Sequence, residues 1–283
     1  MAFSSISVAP PMPEHSFLEL RRDETWIVRS GTSRMARRTD DAGTSIAISS
    51  GSLMRFEIHS GVDDPLPPPF DRAGEEELPA RMRNLLETLR GPLDSLLPNL
   101  DAAPEAASIR VVTRIRGVVT PERDQRAHVD GSVVVVIHAP GQASVTGSPD
   151  LLQSRLVTAS DPAGPEIEHV DPMSLPILWI GGSGAVMLHE VVGHPAERGI
   201  FTPDLPTWIE VTDSPTGGFA PAEIDDAGRA TSARVLSRGE SPSSFRRASF
   251  RDVPLIRMSN LSVSSSGAPF EIPQRRIEVD RVG

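Results

Sequence analysis

The sequence predicts an α+β fold of mixed or antiparallel sheets with few helices, and three observations predict it. Segments with the period-two alternation of strands recur through the first half of the chain, separated by turn residues. One stretch near residue 85 has the apolar spacing of an amphipathic helix. Further on, a short apolar strand runs into a glycine turn and a second helix. Strands and helices that segregate in this way give α+β rather than a repeating βα pattern, and no internal repeat is visible.

Element by element, residues 1–16 are rich in proline and serine and are expected to be disordered. Phe17–Arg21 and Thr25–Val28 read as strands paired through a turn at Arg22-Asp23. Ser45–Ser49 and Leu53–His59 flank Ser50-Gly51-Ser52, a hairpin signal, and Met54, Phe56 and Ile58 alternate with polar residues. Residues 61–77, with four prolines, read as a linker or surface loop. A helix is expected from Pro79 to Arg90, because Met82, Leu85, Leu86 and Leu89 fall on one face and Gly91 sits at a stop position. After a Pro/Ala-rich connection over 98–107, Ile109, Val111, Thr113 and Ile115 share one strand face, with Arg110, Arg114 and Arg116 on the other. Val133 to Val136 is a continuous run expected to be buried on both faces. Leu151–Val157 reads as a short helix and Ile177–Ile180 as a strand. Gly181-Gly182-Ser183-Gly184 then leads into a helix over Ala185–Val192. Trp208–Thr212, Ser232–Leu236 and Pro254–Val263 are further strands. The expected organisation is a tail over 1–16, an α+β domain over 17–100 and a second domain over 101–283.

Composition narrows the chemistry. The chain has no Cys and no Tyr, and every basic residue is arginine. Thiol nucleophiles, thiolate metal ligands, Schiff-base lysines and lysine-dependent phosphate loops are therefore excluded. Catalysis must rest on His, Asp, Glu, Ser, Thr, Arg or a metal. A net charge of −10 disfavours nucleic acid as a partner. The arginine pairs at 21–22, 37–38, 246–247 and 275–276 read as solvated surface. No apolar run is long enough to span a membrane and no secretory signal is visible, so a cytoplasmic protein is expected.

Two motifs compete in the strand–glycine–helix segment. His189-Glu190-Val191-Val192-Gly193-His194 resembles the helix of zinc peptidases, in which two histidines hold the ion and the intervening glutamate is the general base. Those enzymes space the histidines at i and i+4. Here the spacing is i and i+5, which on a straight α-helix would set the rings about 140° apart. Gly193 and Pro195 suggest how they can still meet: the helix ends at Gly193 in an unwound or left-handed turn and His194 curls back. The rival is Gly181-Gly182-Ser183-Gly184-Ala185, one substitution from a nucleophile elbow. No histidine follows except those of the same helix, so Ser183 is assigned to the turn.

The segment Gly184–Glu197 resembles the corresponding stretch of the TldD/PmbA family. In order along the chain, Glu24–Val28, Ala222–Gly228 and Arg257-Met258-Ser259-Asn260 are similar to other segments of that family. The resemblance implies a zinc peptidase acting on small, unfolded or leader-like peptides and working as a homo- or hetero-oligomer with another family subunit. It implies Zn2+ held by His189 and His194, Glu190 as base, Glu197 beside the metal, and Arg257, Ser259 and Asn260 near bound peptide. The family's third zinc ligand is a cysteine in a C-terminal portion. This sequence has no cysteine and ends soon after Asn260, so Glu197, Asp225, Asp226 or a partner's residue is expected in its place. The alternative is a non-catalytic scaffold or regulatory subunit that pairs with a full-length relative.

Overall fold

The computed structural model describes residues 15–29, 32–50, 53–60, 78–100, 107–120, 127–138, 145–150, 152, 174–179, 183–200, 205–218, 220–267 and 271–279. The expected tail up to residue 14, the linker at 61–77 and all of the helix at 151–157 except Leu152 lie outside them, as do the side chains of 53–60.

Six antiparallel strands form the main sheet, in the order β3-β2-β1-β4-β5-β6. They are β1 (His15–Arg29), β2 (Thr32–Ser50), β3 (Leu53–Ser60), β4 (Ala107–Val119), β5 (Ala127–His138) and β6 (Val145–Gly147). The expected β2–β3 hairpin is present, with Ser50 opposite Leu53. The expected turn at Arg22-Asp23 is not. β1 runs through it as one strand, because both residues find charged partners across the sheet. Arg22 Nε donates to Asp40 Oδ1 at 2.8 Å, and Arg110 Nη2 donates to Asp23 Oδ2 at 2.5 Å. His15 and Ser16, expected in the disordered tail, are fully buried in β1. Because β4 and β5 pair into the sheet of β1, the sheet crosses the domain boundary expected at residue 100.

One face of the sheet packs on α1 (Leu78–Leu96). Leu18, Leu20 and Ile115 meet Leu78 and Met82 at one end, and Trp26, Val28, Ile109 and Val135 meet Leu93 and Leu97 at the other. The helix overruns the stop expected at Gly91 and passes through Pro92 before ending in a 3₁₀ turn, Leu97–Asn99. An interior proline costs about 3 kcal/mol. Burying Leu93 and Leu97 completely returns about 1.5–3 kcal/mol each, so the apolar stripe wins. The valine run of β5 is covered on one face only: Val133 and Val135 are buried while Val134 and Val136 are half-buried.

The other face of the sheet receives the C-terminal half. Phe17 and Val118 pack on Phe250 and Ile224. Around them lies a buried ionic layer, in which Arg114 donates to Glu19 and Arg116 donates to both Asp130 and Asp226. The described residues of the C-terminal half form three small sheets. β7 (Ile177–Trp179) pairs in parallel with β13 (Ile277–Val279). β8 (Ile209–Asp213) lies between β9 (Arg234–Val235) and β12 (Leu261–Ser265), and β10 (Phe245–Arg246) pairs with β11 (Leu255–Ile256). The single strand expected over Pro254–Val263 is thus two strands separated by a bend at 257–260, and the strand at Ser232–Leu236 shortens to β9 and a 3₁₀ turn. No helix among the described residues is long and apolar enough to cross a membrane.

Candidate metal centre

The histidine motif lies on one continuous helical path of three parts: α2 (Ser183–Leu188), a π turn (His189–Gly193) and α3 (His194–Glu197). The His194 N–H bonds to the carbonyl of His189, five residues back. A π turn inserts one residue into a helix. Residues at i and i+5 across it therefore occupy the stacked positions that i and i+4 hold on an α-helix. The ring centroids of His189 and His194 are 4.5 Å apart, at 67°.

This corrects the expectation that the helix ends at Gly193. Gly193 has φ −65° and ψ −58° and His194 has φ −62° and ψ −39°, both right-handed helical values. The glycine is needed for space instead. A Cβ there would lie 1.9 Å from Met258 Sδ. Pro195 falls in the first turn of α3, where its missing N–H matters least. The helix is anchored from below by Val192 and Ala196, which pack on Val211 and Leu236.

Glu190 reaches a nitrogen of each ring. Its Oε1 is 3.1 Å from His189 Nδ1 and its Oε2 is 3.9 Å from His194 Nε2, and the side chain is 56% exposed. His189, Glu190 and His194 offer ligand atoms all within 4.8 Å of one another, and among the described residues they are the cluster that could hold a metal ion. Glu197 takes a different place. It is 7% exposed and accepts from His194 Nδ1 (2.9 Å), Arg257 Nη1 (3.0 Å) and the Met258 N–H (2.9 Å). Burial alone would raise its pKa, but these three donors outweigh it and hold the group below the ordinary glutamate value. An ionised Glu197 fixes the proton of His194 on Nδ1 and leaves Nε2 as the ligand atom, the usual arrangement behind a metal-binding histidine.

The remaining expected residues separate. Asp225 is fully buried, with Oδ1 accepting from the N–H groups of Ala227 and Arg229 and Oδ2 from that of Phe245. It closes a turn that Gly228 finishes at φ +77°. Asp226 is also fully buried, paired with Arg116 and accepting from the Arg247 N–H. Neither belongs to the histidine cluster. Arg257 does reach the site, through Glu197. Ser259 and Asn260 are turned to Asp213, whose Oδ1 accepts from both N–H groups and from Ser259 Oγ. Ser183 is buried and its hydroxyl donates to the Val279 carbonyl, which ties the start of α2 to β13.

A cleft of about 660 Å³ opens beside the histidines, lined by His189, His194, Glu197, Arg246, Leu255 and Arg257 among others. Arg246 was not anticipated. The pair Arg246-Arg247 read as solvated surface, yet Arg247 is 3% exposed, with burial pulling its pKa down to about 10, and Arg246 Nη2 is buried. Two-residue alternation within β10 carries no signal long enough to show this.

Two imidazoles with the Glu190 carboxylate beside them, and the Glu197 carboxylate behind one imidazole, fit a zinc-type divalent ion. The arrangement defines an α+β protein with a helix-borne His-Glu-His cluster open to a cleft. Among solved structures, the chain is similar to TldE from Thermococcus kodakarensis, with a TM-score of 0.53 and 12% identity over 90% of this chain and 75% of that one. It is also matched at a TM-score of 0.45 and 10% identity by a candidate modulator of DNA gyrase from Bacteroides thetaiotaomicron, over 89% and 72% of the two chains. No family model and no curated protein matches the sequence. The protein has a TldD/PmbA-like fold.

Proposed function

We propose that the chain is a subunit of a zinc-dependent peptidase that cleaves small or unfolded, leader-like peptides. The observation that carries this reading is the π turn, which brings the rings of His189 and His194 to 4.5 Å with the Glu190 carboxylate beside both. His189 and His194 hold the ion, and Glu197 keeps His194 oriented. When bound, a divalent ion such as zinc acidifies a water and polarises a peptide carbonyl. Glu190 takes a proton from the attacking water on its exposed carboxylate and returns it to the leaving amine nitrogen. The neighbouring cleft is large enough for several peptide residues, and Arg257 stands at its wall.

The third ligand is assigned to a partner subunit. Asp225, Asp226 and Glu197 are each saturated by other donors. Val186 and Val191 on the motif helix are exposed apolar residues, which supports an assembly on that helix. The test is zinc stoichiometry together with peptide cleavage, with and without a partner subunit of the same fold. Weak, substoichiometric zinc in the isolated chain and cleavage that requires the partner are expected. Glu190→Gln should keep the zinc of the assembly and lower turnover by about 10²–10⁴-fold. Wild-type turnover in that variant would remove Glu190 as the base, and full zinc occupancy in the isolated chain would remove the partner ligand.

A further inference from the structure

Arg246 is the unexplained charge of the cleft. It lines the same cavity as His189 and His194, and its Nη2 is buried without a hydrogen-bond acceptor. The nearby carboxylates are committed elsewhere. Glu197 is held by His194, Arg257 and Met258. Asp252 Oδ2 accepts from the N–H and hydroxyl of Ser249. Asp226 and Asp130 both pair with Arg116. Burial and the like charges of Arg116 and Arg114 draw the Arg246 pKa below the ordinary arginine value, against the pull of Asp226 and Asp130. Asp226 and Asp130 attract Arg246 from beyond ion-pair distance and its Nη2 has no acceptor, so the guanidinium at the cleft is open to an anion that arrives with a ligand. Arg257, on the same cleft, uses Nη1 on Glu197 and stays half exposed, leaving its other nitrogens to the cavity. Exposed Val253 and Leu255 line the same cleft with apolar surface.

We infer that Arg246 and Arg257 form a subsite for a carboxylate of the bound peptide, placed one cleft's width from the histidine cluster. A guanidinium matches a carboxylate through two parallel hydrogen bonds. The inference rests on the peptidase reading for the identity of the ligand as a peptide. The carboxylate is supplied by the peptide's C-terminus or by an acidic side chain.

The experiment measures binding to the full chain stripped of metal by a chelator, so that no turnover interferes. Three N-acetylated tetra-alanine-type peptides are titrated by calorimetry: one with a free C-terminus, one amidated, and one amidated with a terminal Asp side chain. Binding of the free acid or of the Asp peptide about tenfold or more tighter than the neutral amide is expected, and which of the two prevails identifies the source. Arg246→Met should erase the preference while keeping or raising Tm, since it removes a buried donor nitrogen that has no acceptor. Arg257→Met should reduce the preference in the same direction. Equal affinity for all three peptides in the wild type, no binding of any, or a preference that survives in Arg246→Met would overturn the subsite. Carboxylate-dependent binding without cleavage by the zinc-loaded assembly would keep the subsite and remove the peptidase. Cleavage indifferent to the carboxylate would do the reverse.

Discussion

At His194, one nitrogen is bound to an ionised carboxylate and the other faces Glu190. Glu197 gathers three donors on a 7% exposed side chain, so its role reaches the histidine, the Arg257 guanidinium and the backbone at Met258 together. Glu197→Gln keeps the volume and loses the charge that holds the proton on His194 Nδ1. Zinc affinity of the assembly, read by competition with a chromophoric chelator, should fall about 10–100-fold, with Tm shifted by only a few degrees. Unchanged affinity would make Glu197 an anchor of the 257–260 bend and nothing more. Gly193 poses a different requirement. A methyl group there collides with Met258 Sδ, the flexible end of a side chain, so Gly193→Ala should cost about 1–3 kcal/mol of stability. The double variant Gly193→Ala/Met258→Ala should recover part of it, and failure to recover any would show that the glycine serves the backbone rather than the space.

Among the elements, β1 shows how charge can keep a strand going. Arg110 clamps Asp23 through two nitrogens, and the hydrogen bond outweighs burial in holding the Asp23 pKa below 3.8. A carboxylate whose pKa is lower when folded adds stability above its unfolded value. That contribution is lost as pH falls through the folded value. Asp23→Asn should therefore flatten the acid limb of the stability–pH curve below about pH 4, where Asp titrates in unfolded chains. A urea-midpoint profile over pH 2–6 with the wild-type slope would remove Asp23 from that limb. The motif helix is the second case. Its π turn is a local irregularity, and the packing of Val192 and Ala196 on Val211 and Leu236 holds it in register.

Across the whole molecule, the main sheet carries α1 on one face and the site-bearing half on the other, joined by a buried ionic layer. Burial tends to pull Arg116 down, but Asp226 and Asp130 prevail and hold it above the ordinary arginine value. Burial likewise raises Glu19, against the pull of Arg114. Removing Asp226 leaves Arg116 buried with Asp130 alone as its carboxylate partner. Asp226→Ala should lower stability by about 3–5 kcal/mol and loosen Arg247 and the β10 strand that carries Arg246. Denaturant unfolding gives the loss, and hydrogen exchange at 245–247 gives its location. A loss below about 1 kcal/mol would show that the apolar contacts of Phe17, Val118, Phe250 and Ile224 alone join the halves.

Local pattern was enough for much of this protein. Alternation at Ile109, Val111, Thr113 and Ile115 marks a buried strand face, leucine spacing marks α1, and the absence of cysteine, tyrosine and lysine leaves His, Asp, Glu, Ser, Thr, Arg or a metal for the chemistry. The His189–Glu190–His194 cluster was legible for the same reason, since its residue types lie within six positions. What depended on distant contacts was not legible. Arg22-Asp23 looks like a turn until Asp40 and Arg110 stand across from it, and Gly91-Pro92 looks like a helix stop until Leu93 and Leu97 have a sheet to bury against. Asp225 and Asp226 look like metal ligands until Arg116 and the backbone of Phe245 claim them. The π turn and the part-buried Arg246 belong to this second group. Short-range sequence sets what a segment can form, and the choice among those forms is made by packing and charge partners that lie tens to hundreds of residues away, where tertiary burial outweighs local propensity.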